Sequence, residues 1–344
     1  MQRDQFQPRV ELRSAMISLL TSVLFASAPA VAFTPVPQDP PAKEVKDAAE
    51  SGEPKWITDW EAAKAQAKKE GKDLFVDFTG SDWCGWCIKL HKEVFSHAEF
   101  SGPASEQFVF VELDFPQKKE QSEELKKQNQ GLMTQFGVQG FPTIFVLDAA
   151  GMPYGQTGYQ EGGPEAYLAH VNGLRQVREQ RDALIAKADG SKGAERAKFL
   201  ADAIEVLPAD LHRHYMAWMD EIIKLDADGK AGLKEKFEAA KRKIAIASEV
   251  EALESSLNGF AEKDDWAGGA TKIEEFVTAH AADLDAEVAQ KLKYFAGVFR
   301  YRSGDIAKAV EHVEAAIKAS PESPVAQRLQ GQLEQWKKEL ENKK

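Results

Sequence analysis

The two cysteines of this 344-residue chain lie three positions apart, in Trp83-Cys84-Gly85-Trp86-Cys87. The motif follows an apolar strand pattern and precedes a helical one, so the cysteines are predicted to open a helix. Two thiols at this spacing can exchange a disulfide with another protein, or they can supply two ligands to a metal ion. All the thiols of the chain therefore serve either redox chemistry or a metal site.

A zinc site would need more ligands than this motif supplies. Structural zinc takes four protein ligands and catalytic zinc takes three, yet the sequence has no second cysteine pair. Two histidines are near, but His91 would lie two turns along the helix from Cys84, and His97 would lie beyond the helix end. A zinc ion shared in a dimer is the open alternative. We predict no metal, and disulfide exchange itself needs no cofactor.

The elements that must position the cysteines alternate between helix and strand. A capping pattern at Thr58 and Glu61 predicts a helix that ends at Gly71. Short apolar runs predict the strands, and helical spacing or a starting proline predicts the later helices. The predicted strands are 74–78, 108–113, 143–147 and a hairpin strand ending near 158, and the predicted helices are 87–94, 122–136 and 164–178.

Three segments give this region a specific resemblance. Val76-Asp77-Phe78 lies on the first strand, Trp83-Cys84-Gly85-Trp86-Cys87 at the helix start, and Gly140-Phe141-Pro142-Thr143 before the third strand. In this order and spacing they resemble the thioredoxin family over residues 56–178, about a third of the chain. The resemblance implies an α/β thioredoxin-like domain that exchanges thiols and disulfides with protein substrates.

The sequence departs from the family pattern near the cysteines. Thr79-Gly80-Ser81-Asp82 places one extra residue between Asp77 and the motif, which resembles the exported bacterial branch of the family. The pair between the cysteines is Gly-Trp rather than Gly-Pro or Gly-His. Only 27 residues separate Asp114 from Pro142, which leaves no room for the inserted helical domain of strong disulfide oxidases. A reductase or isomerase with the minimal fold is the better match.

Position on the helix predicts the roles of the two cysteines. A thiolate at a helix N-terminus is stabilised by free backbone N–H groups and by the helix dipole, so Cys84 is predicted to be the nucleophile. Cys87 lies further inside the helix, where it can resolve a mixed disulfide by attacking Cys84. Since no His or Lys lies between the cysteines, the helix end is expected to be the main source of the acidity of Cys84.

The resemblance also implies roles for residues outside the cysteine pair. Asp77 matches the buried acid that exchanges protons with the resolving thiol, and a strand-end Asp bonded to the backbone is the open alternative. Pro142 matches the family's cis-proline, which lets a substrate strand pair with the backbone of Phe141. Trp86 is expected to be an exposed apolar contact for the substrate, whereas Trp83 is expected to pack in the core beneath the motif.

The first 55 residues are predicted to lie outside the fold. Arginines precede an apolar run over 15–26, and Ala28-Pro29-Ala30-Val31-Ala32 offers small residues to signal peptidase, so 1–32 is predicted to be a cleaved signal peptide. A buried N-terminal helix is the alternative. The proline-rich stretch 33–55 indicates a linker. The protein is then expected to be exported, either periplasmic or secreted.

The remaining half of the chain, 179–344, is predicted to be an all-α interaction domain. It is rich in Ala, Glu, Lys and Leu, with helix-spaced apolar residues and with turns at Gly and Pro. One stretch near 290–323 resembles a tetratricopeptide repeat, and a plain helical bundle is the alternative. The matching positions are Gly297, Ala309, Val313, Ala316 and Pro321. Stacked helical hairpins would offer a surface to a protein partner.

Together these observations predict an exported thiol–disulfide oxidoreductase. Its expected partners are protein thiols and disulfides, a membrane or periplasmic thiol that donates electrons, and a protein bound by the helical domain. The formal net charge of -11, without a long block of one sign, argues against nucleic-acid binding. The competing hypothesis is a non-catalytic adaptor, in which the helices bind the partner and the thioredoxin-like domain is a scaffold.

Overall fold

The computed structural model describes residues 53–342. The predicted signal peptide and most of the predicted linker lie outside this range. The described residues divide into two compact units, with the boundary between Lys241 and Arg242. None of the helices between residues 53 and 342 combines the length and the apolar character needed to cross a membrane.

Five strands form the sheet of the first unit. They are β1 (Trp56–Ile57), β2 (Asp73–Thr79), β3 (Phe108–Asp114), β4 (Thr143–Leu147) and β5 (Pro153–Thr157). Their order in the sheet is β1-β3-β2-β4-β5, with β1, β3 and β2 parallel and with β4 antiparallel to both β2 and β5. β2 and β4 are buried along their whole length, which explains why their sequences are almost continuously apolar.

Helices cover both faces of this sheet, and further helices follow the last strand along the chain. They are α1 (Trp60–Glu70), α2 (Gly85–Leu90), α3 (Ala98–Gln107), α4 (Glu123–Phe136), α5 (Gly163–Asp189), α6 (Gly193–Glu205), α7 (Met216–Leu225) and the start of α8 (Leu233–Glu262). A π-helical turn (His91–Phe95) continues α2, and a 3-10 helix (Ala209–Tyr215) precedes α7. Asp59 caps α1, where Thr58 was predicted, and Gly71 ends it in the left-handed conformation. The sequence predicted neither β1 nor α3.

The side chains of β2 alternate between two apolar layers. One layer lies against α1 and α4, and it contains Leu74, Val76 and Phe78. The opposite layer is aromatic: Phe75 contacts the rings of Trp56, Phe95, Phe100 and Phe110. Since residues two apart on a strand project to the same face, Asp77 lies on the face of Phe75. Phe95 belongs to the continuation of α2, so this is the face that the cysteine-bearing helix covers.

Buried polar contacts join the chain after residue 178 to the sheet. Arg181 on α5 is 3% exposed and donates to Asp148, which follows β4, and to the hydroxyl of Tyr215 in the 3-10 helix. The Tyr215 hydroxyl in turn donates to the carbonyl of Pro153, at the start of β5. The predicted domain boundary at 178/179 falls inside α5, and the first unit continues to Lys241.

The second unit consists of the rest of α8 followed by α9 (Trp266–Ala279), α10 (Ala286–Arg302), α11 (Ile306–Ala319) and α12 (Pro324–Asn342). Consecutive helices from α9 to α12 pack in pairs. At Gly297 an added Cβ would meet the carbonyl of Ala309 and the side chain of Val313, each at 3.2 Å, so the glycine permits the close approach of α10 and α11. The resemblance to a tetratricopeptide repeat stays a prediction.

Replacing Arg181 by Met is expected to lower the free energy of unfolding of the first unit by about 3–5 kcal/mol, because Asp148 is left without its buried cation. Hydrogen exchange of β5 peptides at increasing urea concentrations measures this loss. Arg196→Met is the matched control, since Arg196 pairs with the more exposed Glu221 and Asp189 and should contribute about 0–1 kcal/mol. Equal losses in the two variants would contradict the role given to Arg181.

Candidate active site

Cys84 and Cys87 are joined by a disulfide at the start of α2. Cys84 is the N-cap residue of that helix, as the sequence predicted, and its Sγ accepts the backbone N–H of Cys87 at 3.3 Å. Free N–H groups and the positive end of the helix dipole stabilise negative charge on a sulfur in this position. Both cysteines are buried in this oxidised form. The geometry therefore favours a thiolate on Cys84 once the disulfide is reduced.

The connection between β2 and α2 is hydrogen-bonded to the segment that follows β3. The backbone N–H and the hydroxyl of Ser81 donate to the carboxylate of Asp114, at 2.9 and 2.7 Å. Asp82 accepts three backbone N–H groups of residues 117–119 at 2.7 to 3.0 Å. These bonds, that of Gln117 first, lower the pKa of Asp82. The connection between β2 and α2, which is one residue longer than in the usual family pattern, is thus hydrogen-bonded to the end of β3 and to the loop that follows it.

The sequence predicted that Trp83 packs in the core, and this prediction was wrong. Its side chain is 41% exposed. Its ring meets the edge of Phe141 with the centroids 5.9 Å apart, and its Nε1 donates to the carbonyl of Phe115 at 2.8 Å. Gly80 permits this position, because a Cβ there would lie 2.6 Å from the Trp83 ring. The indole is therefore held at the surface, between the cysteine loop and the segment that carries Pro142.

Phe141 and Pro142 lie at the same edge of the sheet as the cysteine loop. The peptide bond between them is cis, as the resemblance implies, and both residues are half-buried. Thr143, which follows, pairs with Phe78 near the C-terminal end of β2, where the cysteine loop begins. The structure thus brings the two segments together although more than fifty residues separate them in the sequence.

Trp86 is 57% exposed, in agreement with the expectation from the resemblance. Its ring lies 5.0 Å from that of Tyr159, and Lys89 Nζ lies 5.1 and 4.7 Å from the two ring centroids. The Tyr159 hydroxyl donates to Glu93, on the π-helical turn, at 2.7 Å. Sequence reasoning missed Tyr159, because only the fold brings the segment after β5 to α2.

Three large apolar side chains are exposed around the disulfide. Within residues 53–342 the large hydrophobic residues found exposed are Trp83, Trp86 and Ile88, the last at 46%. Each is next to a cysteine in the sequence. Exposed large apolar groups that cluster at one place mark interaction sites more often than chance positions do. We call these three residues the apolar rim. Of the three, the sequence predicted a contact with the substrate only for Trp86.

Asp77 is a buried acid inside β2 rather than at its end. It is 7% exposed, and no group among the described residues hydrogen-bonds to its Oδ1. Burial raises the pKa of Asp77 well above its usual range, and the negative charges of Glu112 and Asp114 raise it further. Asp77 is aligned with Glu112 in the register of β2 and β3. The protonated form of Asp77 therefore persists to a higher pH than that of an exposed aspartate.

The two histidines considered as zinc ligands have other neighbours. His91 Nε2 lies 3.7 Å from a carboxylate oxygen of Glu53, and the Nε2 of His97 is bonded to the carbonyl of Lys92. Between residues 53 and 342 there is no group of three or more His, Cys, Asp or Glu side chains placed to hold a metal ion.

Asp77→Asn is expected to stabilise the oxidised protein at pH 8 by about 1–3 kcal/mol, because asparagine removes an uncompensated charge from the buried site. Because the folded state raises the pKa of Asp77, its stability contribution is lost as the pH rises from about 4, the unfolded value, through the folded one. The gain should therefore vanish near pH 3. Urea unfolding at both pH values, followed by hydrogen exchange of β2, measures it.

Asp73→Asn is the matched control on the same strand. Asp73 is equally buried, but its carboxylate accepts the hydroxyl of Tyr154 and is paired with Arg178. Asparagine there should destabilise the protein at pH 8. A loss of stability in Asp77→Asn at pH 8 would show that the Asp77 carboxylate is paired after all.

Comparisons with known proteins found a family model and several relatives similar to part of this chain. A family model described as a thioredoxin-like domain matches residues 60–172. Disulfide bond reductase DsbH of Chlamydia pneumoniae is 38% identical over 122 residues, which are 35% of this chain and 74% of that protein. Thioredoxin-related protein DsbJ of Chlamydia pneumoniae is 32% identical over 107 residues, 31% of each protein. A solved structure of a DsbH oxidoreductase is 33% identical, with a TM-score of 0.35, and the match covers 40% of this chain and 94% of that one.

The family model spans the cysteine pair, Asp77 and Pro142, and the match to DsbH extends over about three quarters (74%) of that protein. The chain therefore belongs to the thioredoxin-like family of thiol–disulfide oxidoreductases.

Proposed function

We propose that this protein is an exported enzyme that reduces or isomerises disulfide bonds of other proteins through Cys84 and Cys87. The observation that carries the proposal is a disulfide at a helix N-terminus surrounded by the apolar rim. The name disulfide bond reductase, given to the related DsbH, supports the reducing direction. Export is supported by the signal-peptide pattern of residues 1–32.

The reaction begins with the reduced pair. The Cys84 thiolate attacks one sulfur of the substrate disulfide, a mixed disulfide forms, and the other substrate sulfur leaves as a thiolate that takes a proton from water. The Cys87 thiol then gives its proton to the Asp77 carboxylate and attacks Cys84 Sγ, which releases the second substrate sulfur. Two electrons pass to the substrate, and the enzyme is left with the Cys84–Cys87 disulfide. In an isomerase, another thiol of the substrate would attack the mixed disulfide instead and release the Cys84 thiolate.

Charge beside the cysteines supports a reducing enzyme rather than a strong oxidase. A strong oxidase needs a reduced form whose thiolate is strongly stabilised. Here the helix end stabilises the Cys84 thiolate, whereas the acids Asp77, Glu112 and Asp114 stand on the strands beneath α2 and disfavour added negative charge. A reductase must itself be reduced again, and we propose a membrane or periplasmic thiol protein as the electron donor.

The apolar rim and the Pro142 segment would bind an extended or unfolded part of the substrate. Trp86 offers a large rigid ring at low cost in side-chain entropy, and Trp83 lies between the cysteines and Phe141. In the family, a substrate strand pairs with the backbone that precedes the cis-proline, which corresponds to Phe141. Substrate sulfur would thus reach Cys84 with apolar rings on both sides.

Cys87→Ala is expected to accumulate mixed disulfides between Cys84 and client proteins, because the resolving attack is lost. The variant is expressed with its signal peptide, exchange is quenched with acid, free thiols are then alkylated near neutral pH, and the periplasm is analysed by non-reducing electrophoresis and mass spectrometry. The Cys84→Ser, Cys87→Ala double variant is the control. If the single variant traps no more protein than this control, the proposal that Cys84 exchanges disulfides with client proteins is wrong.

Trp86→Ala is expected to lower kcat/KM for reduction of a protein disulfide such as that of insulin by about tenfold, the usual loss when an interface Trp is truncated. Reduction of a small aromatic disulfide should change less than about twofold, because it does not span the rim. Lys92→Ala, an exposed residue further along the same helix, is the control. Equal losses on both substrates would indicate that Trp86 acts on the cysteines rather than on the substrate.

The adaptor hypothesis is supported by one observation. Residues 242–342 form a compact unit of their own and lie outside the region matched by the family model. A pure adaptor predicts that purified protein does not reduce insulin with dithiothreitol and that Cys84→Ser has no effect. Insulin reduction that depends on Cys84 would contradict the adaptor hypothesis. The helical unit would then be a partner-binding domain attached to an enzyme.

A further inference from the structure

Two carboxyl groups stand side by side beneath the cysteine-bearing helix. In the parallel pairing of β2 with β3, Asp77 is aligned with Glu112, and aligned residues of parallel strands project to the same face. The ring contact between Phe75 and Phe110, two residues earlier on each strand, lies on that face too. Asp77 is buried and its Oδ1 lacks a partner within residues 53–342, whereas Glu112 is only half-buried.

We propose that Glu112 is the positioning residue through which Asp77 exchanges its proton with water. The two carboxyl groups would share one proton, and Asp77 would pass to Glu112 the proton that it receives from Cys87. This inference rests on the proposed function, in which Cys87 resolves the mixed disulfide. It adds the residue that connects the buried acid to solvent.

The groups that face the pair support this role. Asp114 lies two residues beyond Glu112 on the same face, but Ser81 holds its carboxylate with two hydrogen bonds. From α5, the hydroxyl of Tyr167 donates to the carbonyl of Gly158, and burial, followed by the charge of Asp77, raises the pKa of Tyr167. Asp114 is thus held by Ser81 and Tyr167 by Gly158, whereas no hydrogen bond of this kind is found for Glu112 within residues 53–342.

Glu112 itself faces water and charges of both signs. Burial, followed by the charge of Asp114, raises the pKa of Glu112; Lys119, in the loop after β3, opposes this shift and Glu53 adds to it. Glu53 in turn lies 3.7 Å from His91, on the continuation of α2. Two neighbouring carboxyl groups cannot both ionise without mutual repulsion, so they titrate as a coupled pair.

The proton balance of the resolving step is then complete. The S–H bond of Cys87 breaks as an O–H bond forms on Asp77, the bond between Cys84 and the substrate sulfur breaks, and the Cys84–Cys87 bond forms. The substrate sulfur leaves with the electron pair of the broken bond. Asp77 passes the proton to the Glu112 carboxylate, which releases it to water. No oxidant or further reactant is needed.

The test is a pH titration of Asp77 in the full-length oxidised protein, followed by NMR of chains labelled with ¹³C at the Asp carboxyl and assigned with Asp77→Asn. The wild type is expected to show two inflections, because the pair is coupled. Glu112→Gln should show one inflection, shifted to lower pH by the loss of the like charge. Glu112→Asp should keep two. Glu120→Gln, which removes an exposed charge in the loop after β3, should match the wild type.

The same variants are compared in single-turnover resolution of a Cys84 mixed disulfide. With Glu112→Gln the midpoint of the pH–rate profile should move to lower pH, and Glu112→Asp should restore it; a merely structural defect would lower the rate without moving the midpoint. Identical Asp77 titrations in wild type and Glu112→Gln would overturn the inference. If the wild type reduces no disulfide, the proposed function fails, while the titration still decides whether the carboxyls are coupled.

Discussion

The parallel pairing of β2 with β3 is the constraint on which the site depends. It aligns seven residue pairs from Asp73 and Phe108 to Thr79 and Asp114, so both strands end at the same edge of the sheet. The chain leaves β2 there to enter the cysteine loop and leaves β3 there to enter the segment that Asp82 holds. A slip of one residue would turn Asp77 to the opposite apolar layer and separate Ser81 from Asp114.

Two acids on β2 show how one strand serves both stability and chemistry. Asp73 and Asp77 lie four residues apart on the same buried strand and project to the same face. Asp73 is satisfied by Tyr154 and by an arginine of α5, which ties that helix to the sheet. Asp77 has no such cation among residues 53–342, so burial disfavours its ionised form. The difference in partners, rather than in burial, makes one acid structural and leaves the other free to take up a proton.

The sequence predicted those parts of the fold that local pattern determines. β2 and β4 are short, nearly continuous apolar runs, and the glycine after α1 and the serine before α4 mark helix ends. α3 escaped prediction because its sequence contains Gly102 and Pro103, which disfavour helix in isolation, and packing of Phe100 against the aromatic layer overrides them. The end of the first unit was equally hidden, because the contacts of Arg181 join residues more than thirty positions apart.

The site residues that belong to recognised family motifs could be predicted from the sequence. Those that only the fold brings to the cysteines could not. Cys84, Cys87, Asp77 and Pro142 were named from short segments, and the structure gathers these segments at one edge of the sheet. The prediction for Trp83 was wrong because aromatic residues usually pack in cores, and the carbonyl of Phe115 that accepts its indole N–H lies 32 residues away in the sequence. Glu112 is an acid within an apolar run, as Asp77 is, but its position beside Asp77 follows only from the strand register.

The apolar rim is exposed whereas Asp77 is buried on β2, so the proposed chemistry assigns the substrate and the proton of Cys87 to different places. A substrate segment bound on Trp83 and Trp86 would exclude water from the outer side of Cys84. With water excluded there, the proposed relay offers the proton of Cys87 a route through the protein. Asp77 would pass it to the half-buried Glu112 and Glu112 would release it to water, so the resolving thiol could lose its proton while substrate covers the outer side of the cysteines.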